Sequence, residues 1–148
     1  MERNFQQKIG YNIHVISHFI QNIYNEKLAE YGLTMSQAKV IYFLAQSGEH
    51  TQTDLQNKLY IKPSSMNGIL ESLLKNALVE KRESPEDRRT KLIQLTEKGK
   101  NFDAHIWEVI LGLEELIGEG FSTEEIQMLN AWLIKMKQNL TSYCTGGE

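Results

Sequence analysis

The side chains best placed to do chemistry fall between Thr51 and Gly99. Lys62, Ser64, Ser65 and Asn67 form one polar cluster, and Asp87, Arg88, Arg89 and Lys91 form a second, charged one. Neither contains a nucleophile next to a base. Hydroxyls, amides and cations in this mixture suit hydrogen bonding to base edges and neutralisation of phosphate oxygens. Catalysis finds no support in the chain, which has no Gly-rich phosphate loop, no nucleophile elbow and no His-Glu-x-x-His helix. Its carboxylates are spread over helix surfaces, so an enzyme is not expected.

Metal and redox chemistry are as thinly provided for. His14 and His18 stand four apart and would share one helix face, as a metal pair requires. A structural zinc site wants four ligands, and the remaining supply is His50, His105 and scattered carboxylates. No metal or cofactor is therefore expected. The single cysteine, Cys144, sits in the polar tail, which excludes an internal disulfide and a cysteine-based cluster and reads as an inert exposed thiol.

The polar clusters need elements to hold them. Thr51 precedes Asp54 by three residues, a helix-start pattern related to the capping box, and Leu55 and Leu59 stand four apart on the short helix that follows. Ile61-Lys62-Pro63 suits a tight turn, with Pro63 in the first turn of a second helix, where no N–H is needed. In that helix Met66, Ile69, Leu70, Leu73 and Leu74 recur at helical spacing, whereas Lys62, Ser64, Ser65, Asn67 and Gly68 near its start are small or polar. The apolar face would anchor the helix. Its N-terminal residues could then enter a DNA major groove.

Leu78-Val-Glu-Lys-Arg-Glu reads as a strand, Ser84-Pro-Glu-Asp-Arg-Arg as a charged turn and Lys91-Leu-Ile-Gln-Leu as the return strand. The result is a β-wing. Its Asp87-Arg88-Arg89, followed by Leu95-Thr96 and Gly99, resembles the wing signature of the MarR family of winged-helix regulators, Asp-x-Arg and then Leu-Thr-x-x-Gly. By length and helix order the resemblance covers nearly the whole chain, and the motif itself covers the wing.

The 148 residues can bury a real core in one domain or two closely fused layers, and a hydrophobic share of 41% is ordinary for a soluble globular chain. No apolar run approaches the roughly 20 residues needed to span a bilayer, and Met-Glu-Arg-Asn-Phe-Gln-Gln-Lys has no signal-peptide core, so no membrane partner is expected and the location reads as cytoplasmic. The net charge of −3 conceals a division. From Thr51 to Lys100 there are 10 Lys and Arg against 7 Asp and Glu, and elsewhere 6 against 12. A local basic excess can be only a solvated surface; beside the motif it marks where DNA would lie.

The flanks are long helices. Phe5, Ile9, Ile13, Ile16, Ile20 and Ile23 form one stripe on a first helix that must be buried. Gly32 fits a helix stop, and Thr34 with Gln37 forms a capping box for a helix carrying Ala38, Ile41, Leu44 and Ala45. A short third strand near His50 could pair with the wing. Phe102, Ile106, Val109, Leu113 and Leu116, and then Ile126, Leu129, Leu133, Met136 and Leu140, make two heptad-like seams separated by Gly118-Glu-Gly120, with Ser122 and Glu125 as a further capping box. A helical hairpin within one chain would use these seams, and so would a homodimer. A dimer lets two recognition helices read a pseudo-palindrome.

The expected fold is therefore mainly α with a small β-wing: a winged helix-turn-helix at 33–99, flanked by a dimerisation helix in 1–32 and dimerisation helices with a short tail in 100–148. The family resemblance implies that the first and last two helices form the dimer layer. It also implies that Arg89 reaches the minor groove of a double-stranded operator, braced by Asp87 through a charge-assisted bond, with Arg88 and Lys91 on phosphates. An ion pair at the hairpin tip is the structural alternative for Asp87 and Arg89. Members are typically repressors released by small phenolic or hydrophobic effectors bound between the dimer layer and the DNA-reading unit. Tyr11, His14, His18, Tyr42 and Trp107 are the candidate pocket residues. Zinc-sensing relatives exist, but no matching ligand cluster is present, and the N-terminal cysteine of peroxide-sensing relatives is absent. The alternatives are a metal-responsive regulator of the same fold and a winged-helix protein-interaction module.

Overall fold

The computed structural model describes residues 3–146, so the ends of the N-terminal stretch read for a leader and of the polar tail lie outside the described residues. The order is a 3-10 turn at Phe5–Gln7, α1 (Ile9–Leu28), a 3-10 turn at Ala29–Tyr31, α2 (Met35–Ser47), β1 (His50–Thr51), α3 (Gln52–Leu59) and α4 (Pro63–Lys75). Then come β2 (Val79–Glu83), β3 (Lys91–Leu95), α5 (Glu97–Lys100), α6 (Asp103–Ile117) and α7 (Thr123–Thr145). The fold is mainly helical, with one small antiparallel sheet in the order β1-β3-β2. It is a winged helix-turn-helix. The chain divides into two compact units, Met1–Leu113 and Glu114–Glu148.

In the first unit, local hydrogen bonds set the helix starts. The Thr34 hydroxyl accepts the Gln37 N–H at 3.3 Å while Gln37 Oε1 accepts the Thr34 N–H at 3.0 Å. Thr51 and Asp54 repeat the exchange at 3.1 Å in both directions. Each box satisfies two donors that a first helical turn leaves without partners. Gly32, at φ 71, ends the α1 segment in the left-handed region, where a Cβ would be penalised.

Helix α2 is central, touching α1, α3, α4, α5 and β3. It consequently buries Val40 beside Ala38, Ile41 and Leu44, on more than the one stripe read from spacing, and leaves the expected Ala45 exposed. Leu55, Met66, Leu70, Leu73, Ile93 and Ile106 complete the core around it. The third strand is formed, with His50 opposite Ile93 and Thr51 opposite Leu92.

The N-terminal stripe departs from the expected continuous buried helix. Lys8 is extended, at φ −86 and ψ 141, and separates the Phe5 turn from α1. Asn12 Nδ2 donates to the Gln6 and Lys8 carbonyls at 2.9 Å each, satisfying the break. Phe5 and Ile9 are 68% and 64% exposed, and Ile13 and Ile16 are also open. The physical reason is that α1 joins the core through Tyr24 and Leu28, near its C-terminal end.

In the second unit, Ser122 and Glu125 form the capping box that starts α7, at 3.1 and 3.0 Å. A Cβ on Gly118 would come 3.2 Å from the Glu114 carbonyl oxygen and 3.3 Å from the Ile126 side chain, so the chain turns tightly there. Helix α7 buries none of its residues: Ile126, Leu129 and Met136 are half-buried, and Leu133 and Leu140 are exposed. Among the described residues no helix is long and apolar enough to cross a membrane.

Candidate nucleic-acid interface

Helix α3 ends at Tyr60, which takes the left-handed conformation at φ 55, and the Ile61 N–H reaches back to the Gln56 carbonyl at 3.2 Å. Lys62 is then the extended N-cap of α4, with Pro63 in its first turn. Two faces follow. Met66, Leu70 and Leu73 are buried, each contributing about 1.5–3 kcal/mol of apolar burial that pins the helix to the core. Lys62, Ser64, Ser65, Asn67 and Gly68 are all exposed. The Asn67 amide is held by Gln52, whose Nε2 donates to Asn67 Oδ1 at 2.6 Å. Gln37 Nε2 donates to the Ser72 hydroxyl at 2.9 Å, tying α4 to the capping box of α2.

The wing pairs Val79 with Leu95 through to Glu83 with Lys91. Its tip is closed by hydrogen bonds from the Ser84 N–H to the Thr90 carbonyl at 2.9 Å and from the Thr90 N–H to the Asp87 carbonyl at 3.0 Å. Asp87 Oδ1 accepts the Arg89 backbone N–H at 2.9 Å, and Oδ2 accepts the Thr90 hydroxyl at 3.4 Å. Among the described residues no carboxylate pairs with the guanidinium of Arg88 or Arg89. The loop curls so that the backbone amide of Arg89, and not its guanidinium, faces the Asp87 carboxylate, as in an Asx turn, and the Arg89 side chain is exposed, so the free chain shows neither the side-chain brace nor the tip ion pair. Lys91 pairs with Glu83 at 3.1 Å on the open surface, a contact of little energetic worth.

Arg82 on the wing strand β2 and Glu49 in the loop before β1 were not singled out from sequence. Arg82 forks onto Glu49, with Nε 2.6 Å from Oε1 and Nη2 on Oε2, joining β2 to the loop before β1. Their separation of 33 residues leaves no local spacing to reveal them. His50 is buried and its Nδ1 has no hydrogen-bond partner. Burial, and then the nearby Lys58 charge, push its imidazole below the ordinary value, while Asp54 pulls the other way. The Asp54 carboxyl is held below its ordinary range by the backbone and hydroxyl bonds from Thr51.

A cavity of about 220 Å³ opens beside α2, lined by Tyr24, Met35, Lys39, Tyr42, Lys58 and Tyr60 among others. Of the five candidate pocket residues, Tyr42 alone lines it. Trp107 stacks on Tyr42 with ring centroids 6.0 Å apart and borders a separate cavity with Gln46 and Asp103. Tyr11, His14 and His18 line neither cavity: Tyr11 meets the Phe5 ring edge-on at 5.1 Å, and His18 Nε2 lies 3.2 Å from Asn22 Nδ2. They lie toward the N-terminal end of α1, away from the end that joins the core. Met35, Ala38, Lys39, Tyr42 and Phe43 recur at helical spacing, the one signal from which this wall could have been read. Among the described residues, no three of His, Cys, Asp or Glu are grouped to hold a metal ion.

The sequence profile of the MarR family matches residues 33–91, the stretch that builds α2, the helix-turn-helix and the wing. The HTH-type transcriptional regulator YsmB of Bacillus subtilis is 30% identical over 118 residues, which span 78% of this chain and 79% of that protein. A MarR family regulator from Listeria monocytogenes, solved with a 26mer DNA, is 26% identical with a TM-score of 0.87, covering 96% of this chain and 97% of that one. BpsR of Bordetella bronchiseptica, whose DNA binding is regulated by 6-hydroxynicotinic acid, shares the fold at 20% identity and a TM-score of 0.85, covering 93% and 98%. With an exposed polar face on α4, a wing tip that carries Arg88 and Arg89, and a relative 30% identical over most of its length, this chain belongs to the MarR family of winged-helix transcriptional regulators.

Proposed function

We propose that the protein is a cytoplasmic homodimeric repressor that binds a pseudo-palindromic operator and leaves it when a small phenolic or hydrophobic ligand binds. The observation that carries this reading is the division of α4, with Lys62, Ser64, Ser65 and Asn67 exposed over buried Met66, Leu70 and Leu73. In this reading residues 33–99 contact DNA, and helices from 1–32 and 100–148 hold the dimer. Ser64, Ser65 and Asn67 meet base edges in the major groove, and Lys62 meets a phosphate. Arg89 enters the minor groove, and Arg88 and Lys91 neutralise phosphates. The DNA-bound relative from Listeria favours the same use of the fold.

A second copy accounts for the open stripes. Ile9, Ile13 and Ile16 on α1 and Leu133 and Leu140 on α7 are apolar side chains exposed in a single chain, and covering them gains hydrophobic free energy. Two recognition helices would then address half-sites about one DNA turn apart. The tyrosine- and lysine-lined cavity beside α2 suits a small aromatic ligand, with the effect of 6-hydroxynicotinic acid on BpsR as a parallel. Such a ligand releases DNA by favouring a spacing of the recognition helices that mismatches the half-sites.

Fluorescence anisotropy of the full chain against duplexes tiling the DNA upstream of its own gene, with a shuffled control at fixed salt, tests the reading. A preference of about 1,000-fold for one tile supports a specific regulator. Absence of binding to any duplex at low salt would overturn it.

A further inference from the structure

Asn67 sits on the open face of α4, and its carbonyl is already engaged. Gln52, the first residue of α3, is placed by the Thr51 capping box, and its Nε2 donates to Asn67 Oδ1 at 2.6 Å. The Asn67 Nδ2 donates to no other group among the described residues. The neighbouring Gly68 has nothing within 4 Å of where a Cβ would lie, so a base edge can approach closely. An unconstrained asparagine pairs bidentately with adenine, accepting from N6 with its oxygen and donating to N7 with its nitrogen. With the oxygen held from the side, the amide offers chiefly its donors.

We propose that Gln52 is a specificity-determining positioning residue: by holding Asn67 Oδ1 it turns the Asn67 amide so that Nδ2 faces the major groove, where it selects guanine over adenine. Guanine presents two acceptors there, O6 and N7, whereas adenine presents the N7 acceptor beside the N6 donor. Gln52 itself need not touch DNA. The inference rests on the reading that α4 enters the major groove, and the two can fail separately.

The test is selection from a randomised duplex pool by the full-length protein at one salt concentration, using wild type, Asn67→Ala, Gln52→Ala and Gln52→Glu. Thermal unfolding curves are recorded for all four. Wild type should select guanine about tenfold over adenine at one position per half-site, and Asn67→Ala should flatten that position alone. Gln52→Ala should let adenine rise to parity or beyond. Gln52→Glu is the sharper case, because a carboxylate can only accept: it draws Nδ2 towards itself, flips the amide and presents Oδ1 to the groove. The preference should then move to a base with an exposed donor, adenine or cytosine. If both Gln52 variants keep the wild-type base at the position that Asn67→Ala flattens, or if Asn67→Ala flattens none, the proposal is wrong while the DNA-reading function stands. If wild type selects no motif, the major-groove reading itself fails and the proposal falls with it.

Discussion

Gly99 lies directly against Leu78: a Cβ built on it would overlap the Leu78 carbonyl oxygen. The same carbonyl accepts the Thr96 N–H at 3.1 Å, and the Thr96 hydroxyl donates to the Ala77 carbonyl at 2.6 Å while accepting the Gly99 N–H at 3.1 Å. The Leu-Thr-x-x-Gly motif is thus a clamp that fastens the end of the wing to the turn leaving α4. Gly99→Ala should cost about 1–3 kcal/mol of stability through overpacking, measured as a lower urea midpoint. An unchanged midpoint would show that the Leu78 turn yields freely.

Arg89→Ala should lose about 1–3 kcal/mol of operator affinity with little change in folding. Asp87 separates bracing through the backbone from bracing through charge. Asp87→Asn keeps an Oδ1 acceptor for the Arg89 N–H and should bind nearly as wild type, whereas Asp87→Ala should weaken binding. Equal losses for the two variants in anisotropy titrations would point to the charge.

The association of two copies is tested on α1. Ile13 is exposed in the single chain, so Ile13→Glu should leave the protomer folded but place an unpaired charge in the dimer contact. The dimer dissociation constant should rise on the order of 100-fold or more, seen by sedimentation. A variant that stays dimeric would remove α1 from the interface.

Acid should weaken the fold in two windows. The folded imidazole of His50 is depressed below 6.5, so the unfolded chain binds that proton more tightly. Its share of stability is complete above 6.5 and falls as pH drops through 6.5 towards the folded value. The depressed Asp54 carboxyl adds a second loss, as pH falls below its ordinary 3.8. His50→Phe should flatten the upper window in chemical denaturation across pH and leave the lower one in place.

Tyr42→Ala and Lys39→Gln alter the cavity wall without touching α4 or the wing. Against an aromatic carboxylate that releases DNA, either should raise the concentration needed by about tenfold, as expected when one hydrogen bond to a charged group is lost. The same titration of Tyr11→Ala should match wild type, since Tyr11 does not line this cavity.

Much of this was legible from spacing alone, for a physical reason. Capping boxes at Thr34, Thr51 and Ser122 join residues three apart, and the return strand Lys91–Leu95 and the anchors of α4 repeat with the period of their own element. Such interactions close within a turn or a hairpin, so the sequence by itself determines them. Tertiary structure decided what depends on several elements at once. Periodicity marks Ile13 and Ile106 alike as apolar stripe residues, yet Ile13 is open and Ile106 is buried, because only α6 brings its residue to the core. The cavity wall combines Tyr24, Lys39, Tyr42 and Lys58 from three helices, Gln52 meets Asn67 across 15 residues, and Gly99 meets Leu78 at a turn. These neighbours share no period. They are set by how α2, α3 and α4 pack around one core, and that packing also determines which polar groups face outward.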